Sequence, residues 1–431
     1  MTHCLRCWRY NLQNAFALIT LWVMFAHQAL PQTVARPALV AARDFPVMAW
    51  GASPSDPEQL RQMKEAGLNA SGFCRVADLD RVRDAGLACF VSDPRIEGLN
   101  WEKLPPEDTI RTNIAALKRE VGSRPEVLGF LLRDEAPAAL MPGLGRVAGL
   151  LREAMPDKWP YVNVFPYRVS SRYMGSPDFE SYMKAFTDAV QPPFLSYDNY
   201  SLIGGEMLDY FYTNLDFMRR WAFRLGKPFW NCILANAHFV YMEPTDATFH
   251  LQVYGTLAYG GRGIQYFTYF NPTEGSFRSS AIDPFGNKTA TWEMLRRINN
   301  ELHVLAPVML QLHSTGVYHS PDVPDQGKHL SESRWVKQVE MTRQFDEWAA
   351  PETILPPISG RLLLGEFEDG RGRPYLMVVN KNLQHSFRIS IRLRESSHKL
   401  MRVSPFNGQE EAFGVDADFI APGAGILLRI E

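Results

Sequence analysis

The sequence predicts an α/β chain: a (β/α)8 TIM barrel followed by a small antiparallel β-sandwich domain. Three observations carry this reading. Short apolar runs, suited to strands buried on both faces, alternate with amphipathic helical segments eight times within residues 44–312. Several helical segments close on glycine, at 67, 86 and 226, a common helix stop. In residues 315–431 the rhythm changes to short strand candidates separated by turns such as Asp369-Gly and Asn407-Gly. Eight units over roughly 265 residues match the usual barrel of about 250. A doubly wound open sheet is the alternative. It is weakened because the turn after the first strand, Trp50-Gly-Ala-Ser-Pro-Ser55, is not a G-x-G-x-x-G phosphate turn.

The elements follow in order. Residues 45–50 read as the first strand and 56–66 as its helix; 68–75 and 76–85 form the second pair. The third strand spans 87–93, with a clear helix at 107–121. The fourth strand is Val127-Leu-Gly-Phe-Leu-Leu-Arg-Asp-Glu-Ala-Pro137, in which five apolar residues surround one glycine and run into Arg133-Asp134-Glu135. A helix at 144–155 leads to a fifth strand at 161–165, and a helix at 179–190 to a sixth at 194–200. A long helix at 207–225, a seventh strand at 228–235, a helix at 245–259, an eighth strand at 263–270 and a helix at 288–305 complete the barrel. In the sandwich region, 362–367, 375–380, 387–393 and 425–430 are strand candidates, several alternating apolar with polar.

At 431 residues and 46% hydrophobic content, the chain can hold one large domain and a smaller one. A net charge of −2, with no long run of one sign, argues against nucleic acid as a partner. Residues 1–35 read as a signal peptide. Arg6 and Arg9 precede an uncharged apolar core at 15–26, shorter than the about 20 residues of a bilayer span. A secreted or periplasmic protein is therefore expected, with an uncleaved N-terminal anchor as the alternative and no other membrane contact. Cys4 and Cys7 fall in that leader. Cys74, Cys89 and Cys232 remain, neither a disulfide framework nor a metal-ligand spacing, so buried free thiols are expected.

If the barrel closes, the C-terminal ends of its strands converge on one mouth. Those ends collect Trp50, Arg75, Asp93, Asp134, Glu135, Asn163, Tyr197, Asp198, Asn199, Tyr200, Asn236, His238, Tyr269 and Asn271. Flat rings cover the apolar faces of a sugar while Asn, Asp and Arg bond its hydroxyls, so the set fits a carbohydrate. Walker, dinucleotide, H-E-x-x-H and G-x-S-x-G patterns do not occur, so no cofactor, no metal and no nucleophile-elbow serine is expected. Plainer roles stand beside these. Asp134 or Glu135 could cap the next helix, His238 could be a satisfied structural residue, and Trp50 and Tyr269 could be barrel core.

Three stretches together resemble the β-galactosidase-like, clan-A type of (β/α)8 glycoside hydrolase, often followed by β-sandwich domains. They are Asp134-Glu-Ala-Pro137, Ser196-Tyr-Asp-Asn-Tyr200 and Gly263-Ile-Gln-Tyr-Phe-Thr-Tyr-Phe-Asn-Pro272. The resemblance covers about residues 45–310 as architecture. It implies hydrolysis of an oligo- or polysaccharide with the general acid/base at the end of strand four, where Glu135 stands. Two departures matter. The clan's Asn before that acid is Asp134 here, and its strand-seven Glu is missing from Trp230-Asn-Cys-Ile-Leu-Ala-Asn236.

Glycoside hydrolysis normally needs two carboxyls flanking the bond. A neighbouring Asp134 charge and partial burial would raise the Glu135 pKa, as a general acid requires. For the partner, Asp198 at the end of strand six competes with Glu243. The latter lies in the loop before the next helix, where the dipole alone also favours an acid. The alternative function is a non-catalytic carbohydrate-binding protein on a degenerate barrel, favoured by the missing strand-seven Glu. A metal-dependent hydrolase ranks third, because only His238 stands near a strand end.

Overall fold

The structure is a computed structural model that describes residues 45–273, 275–343, 360–414 and 418–431. The leader expected at 1–35 lies outside the described residues. Eight parallel strands make one sheet: β1 (Val47–Ala49), β2 (Ala70–Cys74), β3 (Ala88–Val91), β4 (Val127–Asp134), β5 (Trp159–Asn163), β6 (Leu195–Asp198), β7 (Phe229–Leu234) and β8 (Ile264–Phe267). Their order is β5-β4-β3-β2-β1-β8-β7-β6. The two ends meet through a parallel bridge between Val164 and Tyr197, where the Val164 amide donates to the Ser196 carbonyl at 2.8 Å. That bridge closes the barrel and disposes of the open-sheet alternative.

Helices α1 (Pro57–Glu65), α2 (Leu79–Asp84), α3 (Glu107–Val121), α4 (Met141–Ala154), α5 (Phe179–Val190), α6 (Tyr210–Leu225), α7 (Asp246–Ala258) and α8 (Ala290–Met309) follow their strands in turn. Two boundaries differ from expectation for visible reasons. A 3₁₀ turn at Ala138–Leu140 feeds α4, which starts before residue 144. Met207 pairs with Leu202 in a small ladder, so α6 begins only at Tyr210.

Strand alternation sorts the side chains. Val162, Leu195, Tyr197 and Ile233 pack outward into the core shared with the helices. Their neighbours Trp159, Tyr161, Phe194, Ser196 and Trp230 face the barrel axis. Low in the barrel, Phe194 and Trp230 stack with centroids 4.0 Å apart, and Trp159 and Phe90 pack around them. Above this ring plug lies a polar layer, where Tyr161 donates to Gln265 Oε1 at 3.0 Å and sits 2.9 Å from Ser196 Oγ. Cys74, Cys89 and Cys232 are buried and free.

Among the described residues nine further strands follow: β9 (His313–Ser320), β10 (Val336–Thr342), β11 (Leu362–Glu368), β12 (Pro374–Asn380), β13 (Phe387–Leu393), β14 (Leu400–Val403), β15 (Glu410–Ala412), β16 (Phe419–Ile420) and β17 (Gly425–Ile430). They form an antiparallel six-stranded sheet, β9-β11-β12-β17-β14-β15, and a three-stranded one, β10-β13-β16. Leu364, Leu376, Val378, Phe387, Ile389 and Leu428 fill the space between the sheets. The other face of the larger sheet, with Leu363, Phe367, Met377 and Leu427, joins the barrel's own core against α7. This explains why α7 shows no polar face: Phe249, Leu251, Val253, Tyr254 and Leu257 are all buried. Helix and sheet approach until a Cβ on Gly365 would stand 2.2 Å from the Ala258 carbonyl oxygen. No helix among the described residues is long and apolar enough to cross a membrane.

Gly365→Ala should therefore destabilise the protein by about 1–3 kcal/mol, since a close backbone contact has nowhere to yield. Thermal or denaturant unfolding measures this, and an unchanged midpoint would show that the sheet does not press on α7 as described.

Candidate active site

Three neighbouring strand ends place three polar groups side by side. Asp134 ends β4, Asn163 ends β5 and Asp198 ends β6, with Asp134 and Asn163 in direct register. The buried Asn163 amide donates to Asp134 Oδ1 at 3.1 Å and to Asp198 Oδ1 at 2.9 Å. Its own Oδ1 accepts from Ser196 Oγ at 2.8 Å, which fixes the amide so that both N–H groups point at carboxylates.

Glu135 follows Asp134 directly, and in a regular strand its side chain would leave on the opposite face. Instead its φ is +44°, in the left-handed region, while its amide donates to the Asn163 carbonyl at 2.9 Å. A non-glycine residue held there costs on the order of 1–3 kcal/mol. The turn brings the Glu135 carboxyl within electrostatic reach of Asp134 and Asp198.

The electrostatics follow from that crowding. Burial, and then the Asp134 charge, push the Glu135 carboxyl up to about 7. Asp198 is raised well above the usual carboxylate range, chiefly by burial and then by the charges of Asp134 and Glu135, against hydrogen bonds from Asn163 and Tyr200. Burial raises Asp134 as well, opposed first by Asn163 and then by Arg133. Carboxyls this close cannot all ionise, so the group retains a proton near neutral pH.

Two surfaces flank the cluster. On the β1–β4 side is a cleft of about 830 Å³, lined by Trp50, Ser53, Ser55, Phe73, Arg75, Ser92, Glu97, Arg133 and Asp134. On the β6–β8 side is a series of rings. Tyr200 stacks on Phe267 at 5.2 Å, Phe267 lies 5.6 Å from both Trp50 and His238, and His238 stacks on Phe277 at 4.7 Å.

Thus Trp50, Asp134, Glu135, Asn163, Asp198, Tyr200 and His238 come together around the mouth. Arg75 lines the cleft while held by Asp78 at 2.7 Å. Asn236 is wholly buried, donating to Thr268 Oγ1 at 2.8 Å and meeting His238 Nδ1 at 2.7 Å, so it orients rather than lines.

Five expected positions turn to other partners. Tyr197 and Asn199 flank the inward Asp198, so alternation turns both outward. Tyr197 packs with Phe229, and Asn199 binds the Phe211 carbonyl at the start of α6. Tyr269 is core, accepting from Trp292 Nε1 at 2.9 Å. Asn271 spends its amide on the Pro272 and Phe277 carbonyls of its own loop. Glu243, half-exposed on the β7–α7 loop, forms an ion pair with Arg278. Ser196, Phe267 and Phe277 were not anticipated. The polar Ser196, between Leu195 and Tyr197 of an apolar strand, was the available signal for the first.

Among the described residues, no group of three or more His, Cys, Asp or Glu side chains is arranged to hold a metal. No protein-family model matches the chain, and no curated protein matches its sequence. Solved structures do. A GH42 β-galactosidase from G. stearothermophilus superimposes with a TM-score of 0.57 over 92% of this chain and 100% of that one, at 8% identity. A structure described as a glycoside hydrolase gives 0.51 over 90% and 92%, at 12% identity. The chain spans 63% of a β-galactosidase from the psychrophilic Marinomonas ef1, with a TM-score of 0.46 and 10% identity over 63% of this chain. The first two of these show that the chain has the (β/α)8 fold of these glycoside-hydrolase structures, over 90% and 92% of its length.

The Glu135 shift carries a signed expectation. Its folded pKa of about 7 exceeds the ordinary 4.5. The stability it contributes is full below about pH 4.5 and is lost as pH rises through about 7. Glu135→Gln should remove that fall from a pH series of unfolding midpoints. Asp134→Asn, which deletes a charge that raises Glu135, should lower its titration midpoint when followed by carboxyl NMR or infrared spectroscopy.

Proposed function

We propose that the protein is an exported glycoside hydrolase acting on an oligo- or polysaccharide, with Glu135 as its general acid/base. The supporting observation is the left-handed turn that carries a proton-retaining Glu135 to the end of β4, beside an open cleft. A carboxyl with a pKa near 7 holds its proton at neutral pH and gives it up readily to a departing glycosidic oxygen. As the C–O bond breaks, that proton moves to the oxygen of the leaving sugar; water then gives its hydroxyl to the anomeric carbon and its proton back to Glu135. Trp50 and Phe267 offer flat faces to the sugar.

The role of the second carboxyl follows from its surroundings. Asp198 and Glu135 each act on the other's ionisation, and Asp198 is tied through Asn163 to Asp134 in the same cluster. We therefore assign Asp198 to holding and orienting the acid. Glu243 reaches the strand-seven side only by giving up Arg278. A second reading, a carbohydrate-binding protein on a glycosidase barrel, is favoured by β7 itself, whose end offers Ala235 and the committed amide of Asn236 in place of a carboxylate.

Glu135→Gln separates the two readings. For a hydrolase, turnover of substrates with poor leaving groups should fall by several orders of magnitude, and turnover of activated aryl glycosides far less. Equal small losses on both would remove Glu135 from the acid role, and binding without any turnover would establish the second reading. In the active enzyme the basic limb of kcat/KM should fall near pH 7, and Asp134→Asn should move it to lower pH. Export is tested by N-terminal sequencing from the producing cell. The mature chain should begin between about residues 27 and 43; a retained Met1 would refute cleavage.

A further inference from the structure

We infer that the mouth is an open groove in which a glycan chain lies across the acid cluster and is cut within its length. This rests on the hydrolase reading above and adds the mode of action.

The geometry has two arms. One is the cleft over β1–β4, reaching from Asp134 past Arg133 and Phe73 to Ser53 and Ser55. The other begins at Tyr200, two residues beyond Asp198 and stacked on Phe267, and leaves the mouth over β7 and β8. Its rings gather around His238: Phe267 lies edge-on at 5.6 Å, Phe277 stacks at 4.7 Å and Phe239 lies edge-on at 5.3 Å on the outer side. Trp50 and Phe267, on adjacent strands, join the two arms across the floor. The carboxyls of β4 and β6 therefore have binding surface on both sides. A site that clips single residues from a chain end needs only one such arm and a wall where the other would be.

The outer end of the aromatic arm is what makes the case. Phe239 is 74% exposed and the adjoining Val240 66%. An apolar pair in water gains nothing for folding. Phe239 also has a φ of +48°, a conformation that disfavours any residue but glycine. The loop is nonetheless held rigidly. Ala237 bridges Arg278, and the Phe239 amide donates to Ser276 Oγ at 2.8 Å. A strained backbone thus displays a phenylalanine at the solvent end of a ring cluster that begins beside the acids. The occupant that fits is a sugar chain, an apolar face of which covers the exposed Phe239 ring.

The test uses the full-length protein, soluble glucan, mannan, galactan and xylan, and short oligosaccharides of each. Early digests of the polysaccharide that is cleaved should contain oligosaccharides of intermediate length. Release of only mono- or disaccharide from the outset would overturn the proposal. Phe239→Gly removes the ring and relieves the backbone at once. It should leave the unfolding temperature unchanged or higher while raising KM on long chains about three- to tenfold, with a smaller effect on disaccharides. A falling unfolding temperature with unchanged KM would make Phe239 structural and overturn the aromatic arm. If no glycan is turned over, affinity electrophoresis in the same polysaccharides decides. Retardation lost in Phe239→Gly supports the groove while the hydrolase reading fails; no retardation in any gel overturns both.

Discussion

One amide governs the mouth of this barrel. Asn163, buried on β5, gives its two N–H groups to carboxyls on the strands either side of it. Burying an unpaired carboxylate costs several kcal/mol, and a single neutral side chain offsets part of that for two of them. What it does not offset is relieved by keeping a proton. The raised values of Asp134, Glu135 and Asp198 and the left-handed turn at Glu135 are parts of one arrangement, in which acids are packed more densely than their charges tolerate. The polar layer beneath supports it, because Ser196 and Tyr161 fix which way the amide faces.

The rest of the chain holds those strand ends still. α7 is clasped between the barrel and the larger sheet of the sandwich, with Gln252 bonding both the amide and the carbonyl of Leu234 on β7. The loop that carries His238 and Phe239 leaves the mouth end of that same strand. The sandwich thereby bears on the aromatic arm without contributing a side chain to it. Its contribution is rigidity.

The legible part of the sequence was the part written in periods. Alternating apolar runs gave the eight strands, and glycine stops marked helix ends, because burial and backbone freedom act through neighbouring residues. The sandwich strands β9 and β10 escaped because they are polar, as His313-Ser-Thr-Gly and Lys337-Gln-Val-Glu show, and take their order from partner strands. Tyr197 and Asn199 were misplaced by treating a strand end as a point: with Asp198 inward, the period of two forces both outward. Asp134, Glu135 and Asp198 were found by residue type and position. The turn at Glu135 was not, since glutamate carries no preference for a positive φ. Phe239 and Phe277 belong to loops whose path only tertiary bonds decide.

The ring plug of Phe194, Trp230, Trp159 and Phe90 has a consequence for proton traffic. It seals the barrel axis beneath the acids, so the cluster exchanges hydrogen ions with solvent only upward. A molecule seated on Trp50 and Phe267 therefore reaches the acids from the same side as the water that supplies their protons, and the two share one entrance.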